Sequence, residues 1–418
     1  MEIQPIEHHI THAYSSFPFS GFDDCYSISV DGYGEMTSTL VYRPGEGKIK
    51  EIYVPNSLGV FYTEITRWIG FDLLQEGKTM GLASYGTKKY DFSKYISYGN
   101  GSYKLVPNLA EQLMRDFGER RREGELTKEH KDIAYTAQKY VEEVMIHLAQ
   151  YHVGKNNLCL SGGVSLNCVA NGRILREAGI KDIFAQPMAN DAGGALGAAV
   201  YLAMQDGYKF EEMYHPYYSE GFNDEEIEKA LKQARVKYEY HKDPAGVAAE
   251  FLAESKIIGW FQGRMEIGPR ALGNRSILAD PRKVEMKDII NRRVKHREPF
   301  RPFAPSLLEE EMRKYLVDAY PTPFMLLSFE VPDERKKEIP AVVHVDGTAR
   351  PQTVTKKQNP LYYELIKQFQ KETGIPVVLN TSFNIRGKPI VRTPKDALAM
   401  FYTEDMDALI LGSYVIKK

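Results

Sequence analysis

Two stretches constrain the fold of this chain more than any others: NLCLSGGVSLN, residues 157–167, and IFAQPMANDAGGALGAAVYLA, residues 183–203. Each is a short apolar run that gives way, through small residues, to a helical pattern. Strand, tight turn and helix, repeated, call for a sheet whose strands are joined by crossover helices, with ligand contacts at the strand ends. Ahead of them, YSISVDG, TSTLVYR and KIKEIYV are broken by glycine-rich turns and read as an antiparallel meander over Tyr26–Val54. A helix is expected over 61–68. A longer one is expected over 131–152, where Ile133, Ala137, Tyr140, Val144 and Leu148 recur at helical spacing.

A chain of 418 residues exceeds what one core organises, since single cores stop growing at roughly 250–300 residues. Irregular aromatic text between Gly207 and Asn223 marks the boundary and gives domains 1–215 and 216–418. The second domain alternates again: helix VEMKDIINRRV, strands APSLL and FMLLSF, helix PLYYELIKQFQKET, strand IPVVLN, helix KDALAMF and a strand ALILGSYVI. Both domains are therefore expected to be α/β.

A net charge of −2 provides no global field for nucleic acid or anionic lipid, so any anion site must be local. Cys25, Cys159 and Cys168 are odd in number and lack CxxC spacing, which suits free core thiols in a reducing compartment. There is no signal-type apolar stretch and no run near the ~20 residues of a membrane span. The chain reads as soluble and cytoplasmic, without membrane or nucleic-acid partners.

EHHITHA puts His8 and His12 one helical turn apart, where two imidazoles can share a metal ion, with a His9–His12 pair as the alternative. Asp191, at a strand end before a small-residue helix, either faces a cleft as a third ligand or caps the helix. In SGGVSLN, Gly162, Gly163 and Asn167 open a helix start to close approach by a nucleotide, although no Walker lysine follows. Asp31 in SVDGYGE is a turn acid or a contact for magnesium or ribose. Arg264, Arg270 and Arg275, then Arg292, Arg293, Lys295, Arg297 and Arg301, are interrupted by proline and glycine. They form either a converging anion pocket or a solvated basic face. Arg350 sits in a turn, and Asn380, Thr381, Ser382 and Asn384 follow an apolar strand where α/β sheets place ligand contacts.

Taken together and in order, HHITHA, GKTMGLASYG, LSGGVSLN, NDAGGALGAA, GPRALGNRS, VKHREPFRPFAP, DGTARPQTV and LNTSFNIRGKPIV resemble the O-carbamoyltransferases of nodulation-factor, cephalosporin and aminoglycoside biosynthesis. The resemblance runs along almost the whole chain. It implies a partial actin/hexokinase-like (ASKHA, Kae1-like) domain followed by a YrdC-like α/β domain. It also implies that carbamoyl phosphate and ATP form carbamoyl-adenylate, whose carbamoyl group passes to a hydroxyl of a small-molecule acceptor. By motif position, His8, His12 and Asp191 correspond to ligands of Fe2+ or another divalent metal at the transfer site. Gly162, Gly163 and Asn167 correspond to adenylate contacts, with Asp31 lining the same cleft, and Mg2+ is a further option beside the ATP. Arg270, Lys295, Arg350 and Asn380 correspond to the carbamoyl phosphate site.

In one respect the chain departs from the pattern. The family begins with a strand-hairpin segment ahead of HHxxH, whereas here His8 lies almost at Met1. The expectation is accordingly divided between an enzyme, a split enzyme whose second chain supplies that segment, and a non-catalytic subunit binding nucleotide or a partner. A tRNA-modifying relative is a further alternative, disfavoured by the net charge.

Overall fold

The computed structural model describes residues 3–418. It is a mixed α/β structure with several sheets, and its internal contacts divide it into two units, Met1–Met213 and Tyr214–Lys418.

The first unit runs α1 (His8–Ser16), β1 (Cys25–Gly34), β2 (Thr37–Arg43), β3 (Gly47–Tyr53), α2 (Leu58–Ile69), α3 (Glu76–Ala83), β4 (Ile96–Gly99), β5 (Ser102–Leu105), α4 (Leu109–Phe117), α5 (Lys128–His152), β6 (Asn157–Ser161), α6 (Cys168–Glu177), β7 (Asp182–Ala185) and α7 (Gly194–Gln205). Its main sheet has the order β3-β2-β1-β6-β7. The first three strands form the antiparallel meander, and β6 and β7 run parallel to β1 through helical crossovers. Local chemistry fixes the ends of α2: the Ser57 hydroxyl accepts from Val60 N–H, and Gly70 closes the helix at φ 94°. The three cysteines are free and buried, packed as small apolar residues.

The second unit runs α8 (Asp224–Ala234), β8 (Glu239–Tyr240), α9 (Pro244–Ala253), β9 (Ile258–Phe261), β10 (Arg275–Ala279), α10 (Met286–Arg293), β11 (Ala304–Leu308), α11 (Met312–Tyr315), β12 (Phe329–Glu330), α12 (Asp333–Lys336), β13 (Thr348–Ala349), β14 (Gln352–Val354), α13 (Pro360–Thr373), β15 (Val377–Ser382), α14 (Pro394–Thr403), β16 (Ala408–Leu411) and β17 (Tyr414–Lys417). Eight strands form one mixed sheet, β14-β11-β15-β10-β9-β16-β17-β8. Its core joins Trp260, Tyr362, Ile366, Phe369 and Val378, all fully buried, with α9 and α13 packed together over the strands. Side chains of this size contribute about 1.5–3 kcal/mol each when taken from water.

Three readings of the second unit need correction. FMLLSF is not a strand: its residues are buried, but Met325 takes φ 56°, which breaks an extended ladder, and only Phe329 pairs. ALILGSYVI is two strands, because Gly412 at φ 59° turns the chain into the β16–β17 hairpin. RSILA, read within the anion-binding text, is the central strand β10. Its Arg275 is fully buried, with the guanidinium 3.5 Å over the Phe261 ring and hydrogen bonds to the carbonyls of Gly263 and Asn274. Burial pushes its pKa down to about 10, and it braces the strand instead of facing an anion.

Candidate metal cluster and cationic cluster

In the first unit, α1 carries both histidines and packs on α7. The contact is close at Gly197, where a Cβ would collide with the Thr11 carbonyl, so glycine is what lets the helices approach. This brings the start of α7 to the histidines. Asp191 Oδ1 is 3.6 Å from both His8 Nε2 and His12 Nε2, its side chain is 77% exposed, and no side-chain capping bond is made at that helix start.

A β-bulge between Val30 and Gly34, where β1 slips its register against β2, adds a fourth member. Asp31 Oδ2 lies 2.9 Å from His12 Nε2 and 3.6 Å from His8 Nε2, while Oδ1 accepts from Gly32 N–H at 2.7 Å. Gly162 and Gly163 pack against the same turn. A Cβ at Gly162 would collide with Val30 backbone, and one at Gly163 would lie 3.0 Å from Asp31 Oδ1. One ligand atom from each of His8, His12, Asp31 and Asp191 falls within a 4.8 Å spread.

The electrostatics follow from this crowding. Burial works against the Asp31 carboxylate, but the hydrogen bond from His12 and the nearness of His8 outweigh it and hold its pKa well below the usual range. The nearby Asp31 carboxylate raises His8 against the opposing effect of burial, and burial together with the Asp31 charge raises Asp191. His8 Nε2 and His12 Nε2 are 3.0 Å apart. Donor atoms about 2.1 Å from one ion and 90–109° apart are separated by about 3.0–3.4 Å, so the spacing suits two ligands of one cation. His9 points elsewhere: Nδ1 is 2.6 Å from Ser29 Oγ and Nε2 is 3.0 Å from the Thr37 carbonyl. Burial, then the neighbouring His12 and His8, lower its pKa to about 4, and it ties α1 to the sheet as a neutral ring.

Asn167 caps α6. Its Oδ1 accepts from Ala170 N–H at 3.1 Å, and its amide exchanges hydrogen bonds with Gln138. Those polar groups are therefore engaged within the unit.

In the second unit, Asn380 is a hub. Its Nδ2 reaches Ser306 Oγ at 3.0 Å, Gln352 Oε1 at 3.2 Å and the Ala271 carbonyl at 3.3 Å, which draws in segments next to Arg270 and Arg350. Its Oδ1 is buried and has no hydrogen-bond partner among the described residues. The 266–275 loop is shaped by Glu266, whose Oε1 accepts from the N–H groups of Leu272 (2.7 Å), Asn274 (2.7 Å) and Arg275 (3.1 Å).

Lys295 is 2% exposed, and its ammonium sits in a cage of oxygens. It donates to the carbonyls of Ser382 and Asn384 and to Asn384 Oδ1, each at 2.7 Å, with Ser382 Oγ at 3.3 Å. Burial and then the charges of Arg297 and Arg301 push its pKa down. Arg297 is held down to about 9 by burial and by Arg301 and Arg350. Arg301 is lowered by burial and, against Glu298, by Arg350 and Arg386. Arg350 Nε is buried without a hydrogen-bond partner among the described residues. Lys295, Arg297, Arg301 and Arg350 thus form a desolvated cationic cluster.

Lys295 and Arg350 are linked through Arg297 and Arg301, each of which feels Arg350 and is felt by Lys295, and Asn380 is bonded to the residue after Arg270. Sequence reasoning missed the placement of Asp31 among the histidines and did not single out Glu266; it named Arg297 and Arg301 only within a longer basic run, as part of either an anion pocket or a solvated face. The only signal for the arginines was their repetition in VKHREPFRPF.

The class defined so far is an α/β chain with a four-residue metal-competent cluster in one unit and a cationic cluster in the other. Two family models match it: Carbamoyltransferase N-terminus over residues 1–200 and Carbamoyltransferase C-terminus over residues 249–418. The chain belongs to the carbamoyltransferase family, a family of transferases. It is 40% identical to Nodulation protein NolNO of Sinorhizobium fredii over 99% of its own length and 64% of that protein's. It is 39% identical to Nodulation protein NolO of Bradyrhizobium diazoefficiens over 99% of its length and 79% of that protein's. A solved structure of full-length HypF in the phosphate- and nucleotide-bound form aligns at 19% identity and TM-score 0.31, covering 42% of this chain and 22% of that one, a likeness too slight to bear on function. No described helix is long and apolar enough to cross a membrane.

Proposed function

We propose that this chain is an O-carbamoyltransferase in which water releases phosphate from carbamoyl phosphate, the carbamate so formed attacks the α-phosphorus of ATP to give carbamoyl-adenylate and pyrophosphate, and the carbamoyl group then passes to a small-molecule hydroxyl with release of AMP. The observation that carries the reading is the convergence of Lys295, Arg297, Arg301 and Arg350 in a chain matched by both family models. A carbamoyl group is a poor electrophile until its oxygen is joined to a good leaving group, and phosphate and then AMP fill that role.

In the second unit, taken here as YrdC-like, the Arg297, Arg301 and Arg350 guanidiniums neutralise the phosphate oxygens of carbamoyl phosphate. Arg270 joins them from the loop that Glu266 shapes. Lys295 orders the Ser382–Asn384 turn beside them, and Asn380 Oδ1 offers an acceptor for the carbamoyl amide.

The first unit is read as actin/hexokinase-like, supported by a three-stranded meander followed by two parallel strands with helical crossovers. Gly162 and Gly163 leave backbone open for adenylate. His8, His12, Asp31 and Asp191 would hold Fe2+ or another divalent ion, which when bound supplies Lewis-acid polarisation of a carbonyl or a lowered hydroxyl pKa. The carboxylate of Asp31, kept ionised, orients both imidazoles.

Pyrophosphate release from ATP tests the reading. It should require carbamoyl phosphate and fall at least a hundredfold in Arg350→Ala; release that ignores carbamoyl phosphate would sink it. The same assay, run with the amino-terminal segment of a relative added in trans, separates a split enzyme, which is rescued, from a binding subunit, which is not.

A further inference from the structure

Gly34 ends β1 two residues past the end of the bulge's Asp31–Gly32 turn and faces the histidine helix. A Cβ built on it would lie under 3.0 Å from Cγ, Cδ2 and Cβ of His8, and these three atoms are its nearest neighbours. Contacts that short do not occur between real side chains, so any larger residue must displace the imidazole. The backbone itself does not demand glycine here, because Gly34 is not among the glycines with positive φ. The left-handed position is taken by the next residue, Glu35, at φ 51°. From there its carboxylate reaches back to within 3.3 and 3.4 Å of His8 N–H at the start of α1, where a negative group is favoured.

His8 is thus held from three sides: ring on Gly34, backbone under Glu35, and Nε2 toward His12 and Asp31. We propose that Gly34 is a positioning residue for the metal site, the seat that sets the His8 imidazole at ligand distance from its partners. The inference rests on reading the cluster as a metal site, but it concerns a residue that donates nothing to an ion. Groups that orient ligands typically change metal affinity 10–100-fold when altered.

The test uses the full chain and Co2+ as probe, titrated anaerobically and followed by visible absorption, with Gly34→Ala beside Gly99→Ala. Gly99 lies on β4, outside the cluster, and a Cβ there meets nothing within 4 Å. Gly34→Ala should weaken Co2+ binding at least tenfold and Gly99→Ala less than threefold. A double-mutant cycle on denaturation midpoint then isolates the seat: Gly34→Ala should lower the midpoint when His8 is present and leave it unchanged in a His8→Ala background. Wild-type affinity in Gly34→Ala, or equal destabilisation in both backgrounds, overturns the proposal. If wild type takes up no Co2+, the metal reading fails, and the cycle still decides whether Gly34 seats His8.

Discussion

Replacing Lys295 by methionine separates two roles that the same cation could have. If the ammonium were a free phosphate ligand, removing it from a desolvated place beside Arg297 and Arg301 would relieve repulsion and raise stability. The structure instead gives it three acceptors at 2.7 Å and a fourth at 3.3 Å, all on Ser382 and Asn384. Methionine of similar length strands the Asn384 carbonyl, while the Ser382 carbonyl keeps its bond from Asn384 N–H at 2.9 Å and Asn384 Oδ1 keeps its bond from Ser382 Oγ at 2.6 Å. A carbonyl left without a donor costs about 1–3 kcal/mol, and the lost repulsion returns part of that. The expected net loss is about 1–2 kcal/mol. For a unit of this size about 2–4 °C accompanies each kcal/mol, so the second unit should melt roughly 2–8 °C lower by scanning calorimetry of the full chain. Lys295→Met should also raise the KM for carbamoyl phosphate by disordering the turn. An unchanged or raised melting temperature would refute the clamp and return Lys295 to the role of ligand alone.

Other substitutions read the remaining contacts. Glu266→Leu should destabilise the second unit by about 2–4 kcal/mol in urea denaturation, by stranding three N–H groups, whereas Glu266→Gln keeps an acceptor oxygen and should lose less than half as much. Gly197→Ala should push α1 from α7 and lower both stability and metal content measured by mass spectrometry. His9→Ala should cost about 2–4 kcal/mol yet leave one metal ion per chain, because His9 serves Ser29 and Thr37 and not the cluster. Chelator treatment should remove that ion from wild type, and His12→Ala should purify without it; equal content in both would count against the cluster.

Some of this was legible in the sequence because the residues that carry it act locally. Asn359, Pro360 and Gly374 delimit α13 at the bounds its pattern implies, and the His8–His12 spacing needs only a helix to bring the rings together. Asp31 could not be placed the same way, since its aim depends on a bulge set by pairing with β2. RSILA was hidden by its flanks: Arg275 belongs chemically to the anion-binding text but spends its charge on carbonyls and a phenyl ring. FMLLSF misled because an apolar run reports burial, and burial without a partner strand is not a strand. Arg297 and Arg301 gain meaning only when Arg350, distant in sequence, arrives beside them.

Mass spectrometry of a quenched mixture of the full chain, ATP and 13C-labelled carbamoyl phosphate tests the central claim most directly. The account predicts labelled carbamoyl-AMP, with pyrophosphate released in step, in wild type and its loss in Arg350→Ala. ATP turnover at the same rate with and without carbamoyl phosphate, and no labelled adenylate, would contradict it.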